Sequence, residues 1–135
     1  EALYAVESWY SWHSRDDYTN NIYSIRNAYY GSLDGNINAN SLSTVIAGAN
    51  SSLDTKIKNA IQKAAKAIQD IPQPFRNHIP SNETVAAMDA CAELEAMGYQ
   101  LYQKQADLAT NYAEAFIAKP EDNPELIFRN RIYKI

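Results

Sequence analysis

The sequence predicts an all-α fold, an antiparallel up-down helical bundle of three long helices plus a short one. Three observations predict it. Apolar residues recur at three- and four-residue steps over long stretches, which is the period of a helix with one buried face. No segment alternates apolar and polar residues as a half-buried strand does. The strong breakers Gly31, Gly35, Pro72, Pro74, Pro80, Pro120 and Pro124 stand between the periodic runs rather than inside them. A chain of 135 residues accommodates one such core. Residues 1–118 read as the bundle and residues 119–135 as a tail that docks on it.

The first periodic run extends from about Ala2 to Tyr30, and Gly31 followed by Asp34-Gly35-Asn36 ends it. Asn40 or Ser41 can cap a short second helix, Leu42 to Ala49, which stops at Asn50. A third helix follows a cap at Ser51 or Ser52. Along it Leu53, Ile57, Ile61, Ala64, Ile68 and Ile71 form the inward stripe, while Lys56, Lys58, Lys63 and Lys66 lie largely elsewhere. Prolines 72, 74 and 80 confine the segment around Phe75 to a connector. Ser81 or Asn82 then caps a long fourth helix reaching about Ala118, with Cys91, Leu94, Met97, Gly98, Leu101, Leu108, Tyr112 and Phe116 directed inward. Leu126-Ile127-Phe128 and Ile132-Tyr133 are too apolar for a free end, hence the expectation that the tail docks.

Composition narrows the function classes. With 46% hydrophobic and 21% charged residues the chain falls outside the disordered class. A net charge of -4 and scattered lysines provide no basic stripe, so nucleic acid is not the expected partner. The lone cysteine, Cys91, excludes an internal disulfide framework and reads as a small buried hydrophobe. No run approaches the roughly 18 consecutive apolar residues of a membrane span, so no transmembrane segment is expected in this chain. Because the sequence opens inside what reads as helix, it is expected to be a processed or excised piece whose upstream half lies elsewhere.

The first helix carries the anomaly. At about 100° per residue, Leu3, Tyr10, Tyr18, Ile22, Ile25 and Tyr29 fall on one arc. Glu7, Ser11, Ser14 and Asn21 project onto the same arc with Asp17 at its margin, a polar row about 21 Å long at helical rise. Polar groups on an apolar face need partners, since a buried unpaired one costs roughly 1–3 kcal/mol. Trp9, Trp12, Tyr23 and Tyr30 fall on a second stripe, which either something outside this chain or its own tail should cover.

Other constellations are weaker. His13 and Asp17, one turn apart, make a two-ligand face, short of the three ligands of a catalytic zinc site, so no metal ligands are assigned. Ser14, His13 and Asp17 do not converge as a triad, because residues 13 and 14 point about 100° apart on a helix. Glu93 and Glu95 diverge for the same reason. Asn50-Ser51-Ser52 and Asn82-Glu83-Thr84 match the glycosylation pattern but read better as helix caps. The serines of the polar row can equally be small residues that let helices approach, with hydroxyls bonded to their own backbone.

The stretch Glu7-Ser8-Trp9-Tyr10-Ser11-Trp12-His13-Ser14-Arg15-Asp16-Asp17-Tyr18-Thr19-Asn20-Asn21-Ile22, continuing through Asn27-Ala28-Tyr29-Tyr30-Gly31, resembles the helix that opens the C-terminal half of the imelysin-like peptidase family. Leu42-Ser43-Thr44-Val45-Ile46, then Leu53-Asp54 and the run ending in Ile71-Pro72 and Pro74-Phe75, extend the likeness over most of the chain. The resemblance implies two related helical bundles in one protein, with a Gly-x-His-x-x-Glu motif in the first bundle and a site between the two. That motif is absent from this sequence, so the missing N-terminal bundle of the same protein is the implied partner. What the resemblance assigns here is half of the wall: Glu7, Ser11, Ser14, Asp17 and Asn21. It further implies a bacterial cell-envelope location, periplasmic or as an outer-membrane lipoprotein, a link to iron acquisition, and a metal such as iron in the full-length protein. Some members carry a peptidase activity; this chain alone, with no nucleophile beside a base and no complete metal set, is expected to be inactive. The alternative reading is a structural or protein-interaction bundle with no small-molecule site.

Overall fold

The computed structural model describes residue 8 and residues 10–118, with side chains through residue 103. Every regular element among them is helical: α1 (Ser14–Tyr30), α2 (Leu42–Ala49), α3 (Ser51–Gln69), a 3₁₀ turn (Phe75–Asn77) and α4 (Asn82–Ala118). Residues 1–98 form one compact unit and residues 99–135 a second. The core described here belongs to the first. The expected docking of residues 119–135 lies outside the described residues.

Local chemistry sets most of the ends. Gly31 adopts the left-handed conformation, φ 68°, and its N–H donates to the Asn27 carbonyl at 2.8 Å, closing α1 as a glycine at that position commonly does. In the following turn the Asp34 carboxylate accepts from the Asn36 backbone N–H at 3.0 Å. The Ser41 hydroxyl caps α2 by accepting from the Thr44 N–H at 3.1 Å. Asn50, rather than Ser51 or Ser52, caps α3, its side-chain oxygen accepting from the Leu53 N–H at 3.0 Å. Ser81 caps α4 through the Thr84 N–H at 3.2 Å. Both glycosylation-like triplets therefore coincide with helix starts.

The first helix is shorter than its periodicity suggests. It starts at Ser14, not near Ala2, because Ser8 and Trp12 take positive φ values of 56° and 64° that a right-handed helix excludes. The N–H groups of Ser11 and Trp12 instead share the Ser8 carbonyl, at 3.2 and 3.1 Å. Asp16 and Asp17 occupy the first helical turn, where negative charge complements the helix dipole.

Helix α3 is the centre of the unit and packs against both α1 and α2. Ile57, Ala60, Ile61, Ala64, Ala65 and Ile68 are buried along it, and the alanines let neighbouring backbones come close. From α1 the core receives Ile22, Tyr29 and Tyr30; from α4, Ala87, Ala90 and Leu94. Leu53 is only half-buried. The inward stripe of α4 starts earlier than the periodicity places it, at Thr84. Cys91, Met97 and Leu101 are half-buried, and Gly98 is exposed; the side chains of Leu108, Tyr112 and Phe116 lie outside the described residues.

Candidate functional site

The polar row is anchored at the start of α1 and is not one continuous helical stripe. Since α1 begins at Ser14, only Ser14, Asp17 and Asn21 share its surface; Ser11 sits in the preceding turn, and Glu7 lies outside the described residues. Ser14 is buried, Asp17 half-buried, and Ser11 and Asn21 exposed. The Ser8 hydroxyl donates to the Asp17 carboxylate, and the Ser11 hydroxyl donates to the Ser8 carbonyl at 3.2 Å. This turn thus folds back over the first helical turn and reaches Asp17 from outside the helix.

Arg15 fastens this end of α1 to the end of α3. Its guanidinium donates at 3.3 Å to the carbonyl of Gln69, which the helix terminus leaves without an intrahelical partner, and at 3.2 Å to that of Ile71 just beyond the helix. With the Gln73 amide oxygen turned toward it, Arg15 also donates there at 2.9 Å.

The second aromatic stripe divides. Tyr30 is core, covered by the chain itself. Tyr23 is half-buried, with its hydroxyl accepting from the Gln69 amide at 2.9 Å and the Arg26 guanidinium 4.6 Å from its ring. Trp12 is exposed and carries the Arg76 guanidinium 3.4 Å from its ring centroid, a cation–π contact from the connector. Trp9 lies outside the described residues. On the arc expected to be core, Ile22 and Tyr29 are buried and Tyr18 half-buried, but Tyr10 and Ile25 face solvent.

Beside Asn21 opens a cavity of about 450 Å³. Tyr18, Asn21 and Ile22 contribute from α1, and Ile68 and Ile71 from the end of α3. Phe75 and Ile79 come from the connector, and Thr84, Ala87, Met88 and Cys91 from successive turns of α4. Its floor is buried, Ile71 being 2% exposed, while Asn21 and Met88 at the mouth are exposed. Tyr18 and Phe75 meet edge to face at 5.4 Å in one wall. Burial raises the Cys91 thiol above its usual pKa, so the sulfur is held as a neutral thiol.

A second polar cluster escaped the reading of the sequence. Asp54, 4% exposed, accepts from the Tyr29 hydroxyl at 3.0 Å and the Ser43 hydroxyl at 2.7 Å, and pairs with Lys58 at 2.6 Å. One carboxylate thereby ties α1, α2 and α3 together. Burial pushes its carboxyl pKa up, but the hydrogen bonds from Lys58, Ser43 and Tyr29 outweigh burial and hold it below the ordinary value. Tyr29 is shifted upward, first by burial and then by the same hydrogen bond. The available signal was Asp54 standing three residues before Ile57 and seven before Ile61, on the apolar face of α3.

His13 does not join Asp17; its Nδ1 lies 3.2 Å from Asp16, and both side chains are exposed. Glu93 pairs with Lys63 across α3 and α4, apart from Glu95. Among the described residues no three His, Cys, Asp or Glu side chains gather as a metal site, and no described helix is long and apolar enough to cross a membrane.

Residues 1–101 match the family model of imelysin. Two solved structures are similar. An imelysin peptidase from Bacteroides ovatus is 87% identical, over 82% of this chain and 32% of that one, with a TM-score of 0.77. A structure named for an iron-regulated protein A precursor, from Parabacteroides distasonis, is 41% identical, over 70% of this chain and 27% of that one, with a TM-score of 0.67. No curated protein matches. The chain spans less than a third of the length of these solved relatives.

Proposed function

This chain belongs to the imelysin family, and from that premise we propose that it forms one wall of an inter-domain binding site in a bacterial cell-envelope protein linked to iron acquisition. The observation that carries the reading is the position of Asp17 and Asn21. They stand one turn apart outside the packed core, Asp17 half-buried and Asn21 exposed at the mouth of an open cavity. Together they present carboxylate and amide oxygen, the donor types that suit a hard cation or a polar ligand. The exposed Ser11 extends the polar surface, the buried Ser14 lies beneath it, and Glu7 continues the row in sequence. The opposite wall comes from the N-terminal bundle of the same protein, a reading supported by the small share of each solved relative that this chain spans. The iron link and the envelope location are supported by the relative named as an iron-regulated protein precursor.

The test uses the full-length protein that carries this chain. Elemental analysis for iron, zinc and calcium is followed by the same measurement on Asp17→Ala and Asn21→Ala. The expected outcome is a bound metal or ligand whose affinity drops at least tenfold in Asp17→Ala while the helical circular dichroism is unchanged. Unaltered binding in both variants would remove these residues from the site. The purified 135-residue chain should not cleave peptides, and chelator-sensitive proteolysis by it would overturn the one-wall reading.

A structural or protein-interaction role is favoured by one feature, the exposure of Val85 and Met88 on α4. A full-length protein with no metal, no peptide turnover and no effect of Asp17→Ala would establish that role instead.

A further inference from the structure

We infer that the cavity between α1, the connector and the first turns of α4 is a binding site for a small, uncharged aromatic molecule, distinct in chemistry from the polar row, of which it shares only Asn21. Its size, about 450 Å³, lies within the roughly 300–1,000 Å³ of small-molecule sites. No charged side chain is among its lining residues, so an ion entering it would lose hydration without gaining a counter-charge. An uncharged ligand loses little.

The walls select for a ring. Tyr18 and Phe75, already edge to face at 5.4 Å, offer the aromatic edges and faces on which a third ring packs with offset or T-shaped geometry. Met88 and Cys91 add two polarisable sulfurs to the lining, and sulfur–aromatic contacts are favourable. The buried floor, Ile22, Ile68, Ile71 and Ala87, is set by the packing of three helices and the residues that follow α3, and does not have to be ordered by the ligand. At the mouth the exposed Asn21 forms the polar rim of the cavity. The Thr84 hydroxyl is already engaged, donating to the His78 carbonyl at 2.8 Å, and serves as wall.

The lone cysteine makes the chain its own reporter. Titration of the full chain with N-phenyl-1-naphthylamine, an uncharged two-ring probe, should give saturable fluorescence with one site per chain. The anionic anilinonaphthalene sulfonate should bind at least tenfold more weakly. Saturating N-phenyl-1-naphthylamine should slow modification of the Cys91 thiol by a neutral maleimide at least fivefold. Ala87→Phe, which fills the floor, should weaken binding at least tenfold. If that variant fails to fold, the protection of Cys91 in the unaltered chain decides. Non-saturable fluorescence, equal affinity for the anion, or unprotected Cys91 would overturn the proposal. So would loss of the site in the full-length protein, which would mean that another part of the polypeptide occupies the cavity. This outcome is independent of metal binding at Asp17, so the two readings fail separately.

Discussion

Asp54 and Asp17 occupy the same local position, the first turn of a helix on or beside an apolar face, and they have opposite surroundings. Asp54 is buried, and its oxygens are met by Tyr29, Ser43 and Lys58 from three helices. Asp17 is half-buried and held by the Ser8 hydroxyl from a turn that lies outside any helix. A carboxylate that a core has closed around is a structural element, because breaking any of its bonds leaves a buried polar group behind. A carboxylate kept within reach of solvent by an irregular turn retains the capacity to meet something else. The contrast teaches that carboxylates on apolar faces need to be sorted by what surrounds them, since helical position alone does not distinguish them.

The largest test of that contrast is Asp54→Ala. It removes the acceptor for Tyr29 and Ser43 and leaves the Lys58 ammonium beside a buried gap, so chemical denaturation should register a loss of about 3–5 kcal/mol. A loss under about 1 kcal/mol would mean that the network is incidental to stability. Part of the same stabilisation should be removable with acid. The folded-state pKa of Asp54 is depressed, so its contribution is fully present above the unfolded carboxylate pKa of about 3.9 and is lost as pH falls through the lower folded value. Stability should therefore decline below about pH 4, and more steeply in the native chain than in Asp54→Asn. Identical acid profiles for the two would contradict the assignment.

Smaller effects sharpen the comparison. Ser43→Ala removes one donor to Asp54 at a site 1% exposed and should cost about 1–3 kcal/mol in the same denaturation experiment. The smallest change is expected at the other carboxylate. Asp17→Ala should shift stability by under about 1 kcal/mol, the size of a helix-dipole and surface hydrogen-bond term. A loss comparable to that of Asp54→Ala would return Asp17, and the polar row with it, to architecture.

Of the five candidate residues, the structure bears on where they lie along the chain and on the shape of the row. Ser14, Asp17 and Asn21 do share the surface of α1. The straight 21 Å stripe did not survive, because projecting residues 7–13 at a helical angle presupposes a helix where Ser8 and Trp12 have left-handed backbone. Asp16 and Asp17, acidic residues in a first turn, were the local sign that the helix starts at Ser14. The cavity was beyond any such sign. It is built from four segments between Tyr18 and Cys91, and only their packing creates a concave surface.

What the sequence determined by itself is the helical character of the chain and nearly all of its helix ends after Ser14. Gly31, Ser41 and Ser81 close or open their helices through hydrogen bonds spanning only a few residues, and the stripe from Ile57 to Ile68 requires only a period of 3.6. Only the tertiary structure decided that Tyr30 is buried and Ile25 exposed, that Asp54 gathers Tyr29 and Ser43 from two other helices, and that Arg15 closes the end of α3. Caps, periodicity and the Asp54–Lys58 pair arise from neighbours along the chain, whereas burial and the hydrogen bonds that close on Asp54 and on the end of α3 depend on groups brought together from 11 to 56 residues away.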